Sequence, residues 1–580
     1  MAQKDSPKDS LAKQSTTKKA LQLGLKYIST TPQDTIVNEQ SDEPYKKYEG
    51  YIIRSIHYEH IGFEKSIYDS IRHKKNTSAQ VANFLHVNTR PKIIRKHLFI
   101  SPNQPLNPYR IADNERFLRD RDFILDSRIV VTPVEGTDSV DLLVITRDVF
   151  SIGGSLGGSA TSPKFSIYDA NLDGRGQRLE FKGLLDPDRT PLFGYSLLYR
   201  KSSILGSLAN FDIGYTQLND SRSYGEAIEY AVFTKIDRPL VSPYSRLAGG
   251  LEVSRNWSNN VYDDPDSVFL DYKYGILDTW LGYNLGIKRN FNDRKRLFLA
   301  VRYFNGQYND QPEQTEYLTE RRYNDLLGYL AEFTFYKQDF YKTRYVFGFG
   351  RTEDIPYGIS LGVTSGYVEE QGVKRPYSGI KLRAGQASSK GNFYRLILQA
   401  GGYYNNDSND NFEDVIVQGG LSYFTRALPL NRYKLRSYLS STFTTLQNRN
   451  TNPWVRVGGN EIPGFSADTL FAKTRFNTHF ESVVYTPWSF LGFRFAPFVA
   501  IDYVWVDCVQ CTVQDRNFWG YSSGIRTRNE NLIFGTMEVK ATFIPTTGNG
   551  NSKFNFSFKQ NLRVKNTGVF VNPPSLLIYN

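Results

Sequence analysis

The stretch Phe554-Asn555-Phe556-Ser557-Phe558-Lys559-Gln560-Asn561-Leu562-Arg563-Val564 decides the fold. Its even positions are Phe554, Phe556, Phe558, Gln560, Leu562 and Val564; its odd positions are Asn555, Ser557, Lys559, Asn561 and Arg563. A β-strand sends alternate side chains to opposite faces. One face of this strand therefore suits hydrocarbon and the other suits water. Phe493 to Trp505 repeats the scheme: Phe493, Phe495, Pro497, Val499, Ile501, Tyr503 and Trp505 share one face, while Arg494 and Asp502 lie on the other. Arg178-Leu179-Glu180-Phe181-Lys182 is a shorter copy.

A soluble sandwich also alternates, but two features favour a barrel in lipid. Tyr and Trp gather at strand ends, as in interfacial girdles. Connections alternate in length: Thr486–Ser489 and Asn529–Asn531 are short, while the Cys508–Phe518 and Thr546–Ser552 regions are longer. In lipid every backbone N–H and C=O needs a partner, so the sheet has to close on itself. From Val149 to Val564, about 25 residues per strand with its connection predicts a transmembrane antiparallel β-barrel of about 16 strands. Division by eye yields a few more, and 18 or 20 are compatible.

Composition agrees. The 580 residues include 39 Tyr, 39 Phe and 45 Gly but only 2 Cys and 2 Met, a mixture suited to two-faced aromatic strands rather than to an aliphatic enzyme core. Mean hydropathy is −0.46, as expected when apolar-out and polar-in residues average. No run of 18 apolar residues offers a transmembrane helix. The net charge of +12 is spread along the strands without a nucleic-acid motif. It reads as a solvated basic surface, and no nucleic-acid partner is expected.

Residues 1–45 lack periodicity and read as a flexible tail. The start has no apolar stretch, yet Ala2-Gln3 resembles the junction left by a removed signal peptide, so an exported mature chain is expected. Residues 46–147 form a different unit. Tyr51–Tyr58 reads as a strand and Pro91–Phe99 as a short helix. Asn107-Pro108 is a helix start, an N-cap followed by Pro in the first turn, and it places Ile111, Phe117, Leu118 and Arg121 near one face. Arg128–Val131 and Val140–Ile145 make a hairpin across Glu135–Asp138. The order β-α-α-β-β describes a small α+β domain. Residues 148–565 are the barrel and 566–580 a C-terminal tail whose Pro573-Pro574 pair cannot extend the sheet.

The arrangement resembles the BamA-like outer-membrane assembly and two-partner-secretion transporter superfamily, in which periplasmic POTRA domains precede a 16-stranded barrel. Three places carry the resemblance. The β-α-α-β-β unit, with Asn114-Glu115-Arg116-Phe117-Leu118-Arg119 on its second helix, looks like one POTRA domain. Asp169–Gln177 is similar to the family's Asn-Leu-x-Gly-x-Gly segment. Gly458-Gly459, two spacers and Ile462-Pro463-Gly464-Phe465 fall where the family has Gly-Gly, a spacer and Val-Arg-Gly-Phe/Tyr.

The resemblance implies that this last segment folds back into the lumen, where the family's Arg meets an inward Asp, here Asp502. Position 463 is Pro, so that contact cannot form in the usual way; Arg456 or Arg475 are the available substitutes, and Asp502 is otherwise expected to stay hydrated. The resemblance also implies a seam between first and last strands, here Gly153, Gly154 and Gly157 against Phe554, Phe556 and Phe558. Glycines weaken strands, and an exposed edge can template a client strand; the same glycines can instead let the wall curve.

The implied function is assistance to assembly and insertion of outer-membrane proteins, as a diverged or accessory subunit. A polypeptide-secretion pore, or a structural member of a surface complex, is the alternative. Expected partners are outer-membrane lipid and unfolded outer-membrane clients or other machine subunits. The expected location is the outer membrane, with the POTRA-like domain and the C-terminal tail in the periplasm; docking of that tail in the lumen, or its use as a short plug, is the open alternative.

Other signals lead elsewhere. Cys508-Val509-Gln510-Cys511 reads as a local disulfide in an outer loop. Free thiols are the next reading, and a zinc or redox site lacks the further ligands or context it needs. His86 and His479 read as structural. No nucleophile–base set is present, so neither catalytic residues, a cofactor nor a metal is expected.

Overall fold

The computed structural model describes residues 38–62, 87–159, 161–222, 226–286, 294–315, 317–318, 320–405, 411–451, 454–455, 461–463, 471–490, 493–510, 516–529, 535–545, 553–560 and 570–577. Two sheets are present. The smaller holds β1 (Ile52–Ile61), β2 (Ile124–Pro133) and β3 (Ser139–Asp148), with β3 in the middle, parallel to β1 and antiparallel to β2. Helices α1 (Pro91–Lys96) and α2 (Pro108–Arg119) complete this module. Asn107 caps α2, its Oδ1 accepting the Arg110 N–H at 3.0 Å, and Pro108 occupies the first turn. This satisfies one of the orphan amides of a helix start. Ile53, Ile94, Ile111, Leu118, Phe123 and Leu142 are among the residues of its core.

Residues 39–45, expected in the flexible tail, are placed here. Glu39 and Gln40 pair with Lys342 and Tyr341, and Tyr45 packs into the module core.

His97 is buried against Phe117 and Phe123, with Nδ1 bonded to the Ile93 carbonyl and Nε2 without a partner among the described residues. Burial, and then the Arg121 charge, push its pKa down from 6.5 to about 3. The unfolded chain therefore binds a proton below pH 6.5 that the folded module refuses, and stability falls with pH between 6.5 and 3. Each pH unit in that window is expected to cost about 1.4 kcal/mol. Denaturant titrations at pH 7 and 5 check this; His97→Phe is expected to remove the share of the acid sensitivity that falls below pH 6.5.

The larger sheet is an antiparallel barrel of twenty long strands, counted among the described residues: β4 (Ile152–Gly158), β5 (Pro163–Asp169), β6 (Gln177–Leu185), β7 (Phe193–Lys201), β8 (Asn210–Asn219), β9 (Glu229–Arg238), β10 (Leu247–Ser258), β11 (Lys273–Leu285), β12 (Lys295–Asp310), β13 (Leu326–Thr343), β14 (Glu353–Glu370), β15 (Val373–Ala387), β16 (Phe393–Tyr404), β17 (Phe412–Phe424), β18 (Tyr433–Gln447), β19 (Phe471–Tyr485), β20 (Phe493–Gln510), β21 (Asn517–Arg528), β22 (Met537–Phe543) and β23 (Phe554–Gln560). The expectation of about 16 strands is corrected to 20. The estimate allowed too much chain per strand. β4, β5 and β22 have only 7 residues each. Gln371-Gly372, both at positive φ, join β14 to β15 as a two-residue hairpin turn, the tightest connection that strands accept.

The alternation holds. Val499 and Ile501 are exposed outward while Asp502 is 4% exposed and inward. Phe554, Phe556 and Phe558 all face out. The same outward belt continues through Leu277, Leu281, Val301, Phe333, Val363 and Leu398. An apolar exterior around a polar interior is what a barrel in lipid requires.

Candidate functional site

Four features meet in the lumen and at its edges: the connection after β18, a charged wall, the seam, and the segment after β23.

The connection between β18 and β19 reaches into the lumen. Val455 exchanges both backbone hydrogen bonds with Ala472 at 3.0 Å. Val455 and Ile462 are fully buried against inward side chains Ile416, Leu446, Val504, Val506 and Phe518. Gly520 makes room for Ile462, since a Cβ there would sit 2.8 Å from the isoleucine Cγ2. Gly520 is the cross-strand partner of Asp502, so Ile462 lies beside that acid. Pro463 follows it, while Gly458, Gly459, Gly464, Phe465 and Arg456 lie outside the described residues.

Asp502 is not left to water. Its Oδ1 is 2.6 Å from His479 Nδ1, on the facing position of β19. Arg475 does not reach Asp502 either. Its Nη1 meets Glu461 Oε1 at 2.9 Å, both groups being buried. The ionic tie between connection and wall therefore has the opposite polarity to the one the resemblance implies: the acid is on the connection and the arginine on the wall. His479, read as merely structural, is the partner of Asp502. It opens a row of charges: Arg526 holds both oxygens of Glu481 (2.6 and 2.7 Å) and one of Glu538 (2.7 Å). Bidentate geometry is the strong form of such pairs, and the row ties β19, β21 and β22 together.

Beyond β22 the wall changes. β23 pairs with β22 over its whole described length and closes the sheet on β4, and a side chain takes part in that closure. Gln560 Nε2 donates to the Gly154 carbonyl at 2.9 Å, and Gln560 Oε1 accepts from the Leu156 N–H at 3.4 Å. A carboxamide stands in for a peptide unit. The six residues singled out for the seam, Gly153, Gly154, Gly157, Phe554, Phe556 and Phe558, lie on these two neighbouring strands. Gln560 was visible as the polar break in an otherwise apolar face.

At the end where β4 begins, α2 docks on the barrel. Arg116 Nη2 donates to the Val241 carbonyl (2.6 Å), Ser242 to Asp113 (2.5 Å) and Thr352 to Asp126 (2.9 Å). Arg119 forks onto Asp354 at 2.8 and 2.9 Å and also holds Glu115, which Lys342 contacts at 2.7 Å. Burial alone raises the Glu115 carboxyl, but Lys342 and Arg119 outweigh it and hold the group at about 2.

The segment after β23 lies in the lumen, the alternative to the periplasmic place expected for it. Phe570 and Val571 are buried. Val571 packs with Leu240, Phe298 and Tyr336, and Leu576 with Phe304, Leu330 and Tyr403. The lumen wall is apolar enough at these points to take them, which a solvated tail would not exploit.

Cys508 is disulfide-bonded and lies within β20, near its far end, rather than in an outer loop. Cys511 and His86 lie outside the described residues.

No protein-family model matches the chain, and no curated protein does. The chain resembles solved BamA and CdiB barrels. BamA from Haemophilus ducreyi lacking POTRA domains 1-3 is 10% identical, with 97% of this chain and 95% of that chain covered at a TM-score of 0.33. CdiB from Acinetobacter baumannii is 12% identical, covering 91% and 78% at 0.40. CdiB from Escherichia coli is 11% identical, covering 96% and 99% at 0.39.

Proposed function

We propose that this protein is an outer-membrane barrel that assists assembly and insertion of other outer-membrane proteins, as a diverged or accessory subunit, with the α+β module acting as a POTRA-like periplasmic domain. The observation that carries the reading is the seam. β4 has only seven residues, below the 9–11 residues that span a bilayer with tilt, and the Gln560 carboxamide bridges it to β23. Opening such a seam bares the edges of β4 and β23 to a client strand, which can pair by backbone hydrogen bonds whatever its sequence. The charged row on β19–β22 keeps the neighbouring wall in shape while the edge moves. The α2 helix docked across one end of the lumen argues against a standing open secretion pore.

Leu156 and Phe558 both face outward on the two seam strands. Leu156→Cys with Phe558→Cys, joined by a thiol cross-linker in a Cys508→Ser/Cys511→Ser background, is expected to fold normally and to lose assembly activity. The readout is the outer-membrane proteome after replacement of the native protein. Broad loss of barrel proteins with the locked form, and not with the uncross-linked form, supports the reading. A full complement of barrels with the seam locked rejects it, loss of a single secreted protein points to a pore, and loss of a single complex points to a structural role.

A further inference from the structure

The segment Phe570 to Leu577, sequence FVNPPSLL, is held along the lumen wall by backbone hydrogen bonds, by the Asn572 carboxamide beside Arg383, and by the packing of Val571 and Leu576. The Phe570 N–H donates to Gln338 Oε1 at 3.1 Å, and its carbonyl accepts from Arg383 Nη1 at 3.1 Å. The Pro574 carbonyl accepts from Arg302 Nη1 at 2.9 Å. The Leu577 N–H donates to the Tyr377 hydroxyl at 2.8 Å. The wall matches the peptide group by group. A proline pair presents carbonyls and no N–H, and there the wall offers a guanidinium, which only donates. At the two ends, where N–H groups remain, it offers oxygen atoms.

The path follows the barrel axis. Gln338 and Leu240 lie toward the end that α2 covers, and Arg302 is midway along β12. Tyr377 and Ile462 lie toward the opposite end, where Leu577 joins the cluster around Ile462. Eight residues in an extended, proline-compatible conformation cover about 22 Å, much of the thickness of a bilayer core. Cavities of about 430 and 310 Å³ flank Asn572 and Pro573, so the segment fills the lumen without being packed on every side. Arg302 is separately held by Asp278.

We propose that the lumen contains a binding site for an extended, uncharged, proline-containing peptide, and that residues 570–577 occupy it in cis as a displaceable plug. Gln338, Arg302, Arg383 and Tyr377 read the backbone, and the hollows around Val571 and Leu576 read two apolar side chains. When the segment leaves, Lys381, Arg383 and Arg395 face the vacated lumen with Glu332 as the nearby acid, so the opened path favours anions. The inference rests on the lumen and not on the seam, and it stands or falls separately from the insertion reading.

The full-length chain carrying Val571→Asp and Leu576→Asp, which places charges in both hollows, tests it in planar bilayers. The unaltered protein is expected to be closed most of the time. The variant is expected to show at least a tenfold higher open probability with anion preference, and synthetic FVNPPSLL peptide is expected to close it saturably. The same peptide with both aspartates is expected not to. Conductance equal to the unaltered protein overturns the proposal, as does an open channel that the peptide does not close. Should the double variant not fold, Tyr377→Phe in the intact chain removes the acceptor of Leu577; a raised opening frequency, reversed by the peptide, supports the site, and an unchanged frequency overturns it.

Discussion

Replacing Arg119 with alanine is expected to release the α+β module from the barrel at a cost of about 3–5 kcal/mol. Arg119 is buried among two carboxylates and the Ser127 carbonyl. Without it, Asp354 loses both of its bonds to the guanidinium, and Glu115 keeps Lys342, the Tyr45 hydroxyl and the Ile129 N–H. An acid left buried without its counter-ion is far worse than a missing pair. The measurement is amide exchange in α2 and at Thr352 to Asp354, compared with the unaltered protein. Exchange in both segments is expected to rise together. Arg119→Lys is expected to recover little, because a single ammonium cannot repeat the planar fork onto Asp354. Unchanged exchange in Arg119→Ala means that the apolar contacts of Phe117 with Leu208 and Val241 hold the module by themselves.

The same contact is acid-sensitive. Glu115 has a folded pKa of about 2, below its ordinary 4.5. Its contribution is therefore complete above pH 4.5 and is lost as pH falls toward 2. His97 acts in the neighbouring window, from 6.5 downward, by the opposite charge logic: it must stay neutral to stay buried. Both groups make the module looser in acid.

Replacing Arg526 with alanine is expected to cost about 2–5 kcal/mol and to act mainly on the strands beside the seam. The guanidinium lies over the Phe498 ring and bridges Glu481 on β19 to Glu538 on β22. Its loss leaves two inward acids close together, with the Lys540 ammonium 3.9 Å from Glu538 and the His479 ring 3.8 Å from Glu481. β22 is only 7 residues long, so this side-chain row is a large share of what holds it. Amide exchange is expected to quicken in β22 and β23 and to stay slow in β13 and β14, whose 18 residues each pair along the far wall. Uniform quickening through the whole barrel would mean that the row stabilises closure globally and does not isolate the seam.

Much of this was legible along the chain. Alternation of Phe and polar residues in Phe554–Gln560 and Phe493–Trp505 marks strands and also says which face meets lipid, because strand periodicity is a property of neighbouring residues. The cap at Asn107, the hairpin at Glu135–Asp138 and the inward direction of Asp502 are local in the same sense. The glycines of β4 fitted a seam, which the resemblance implied, as well as a curved wall, and the part that Gln560 plays beside Gly154 and Leu156 was not legible.

The remainder depends on residues far apart in sequence. The pairing of Asp502 with His479 follows from the register of β19 on β20, and the tie between Glu461 and Arg475 from how the connection folds back. Neither register nor fold-back is written in local period. Strand number was missed for a related reason: it depends on how short a strand and turn can be while the sheet still closes, which is settled by pairing around the whole circle. The position of Phe570–Leu577 is the clearest case. Its proline pair said that it could not join the sheet, and that was all the sequence could say. Only the closed barrel brings Gln338, Arg302, Arg383 and Tyr377 to one face of the lumen, and only that assembled face offers donors and acceptors in the order the segment's backbone requires.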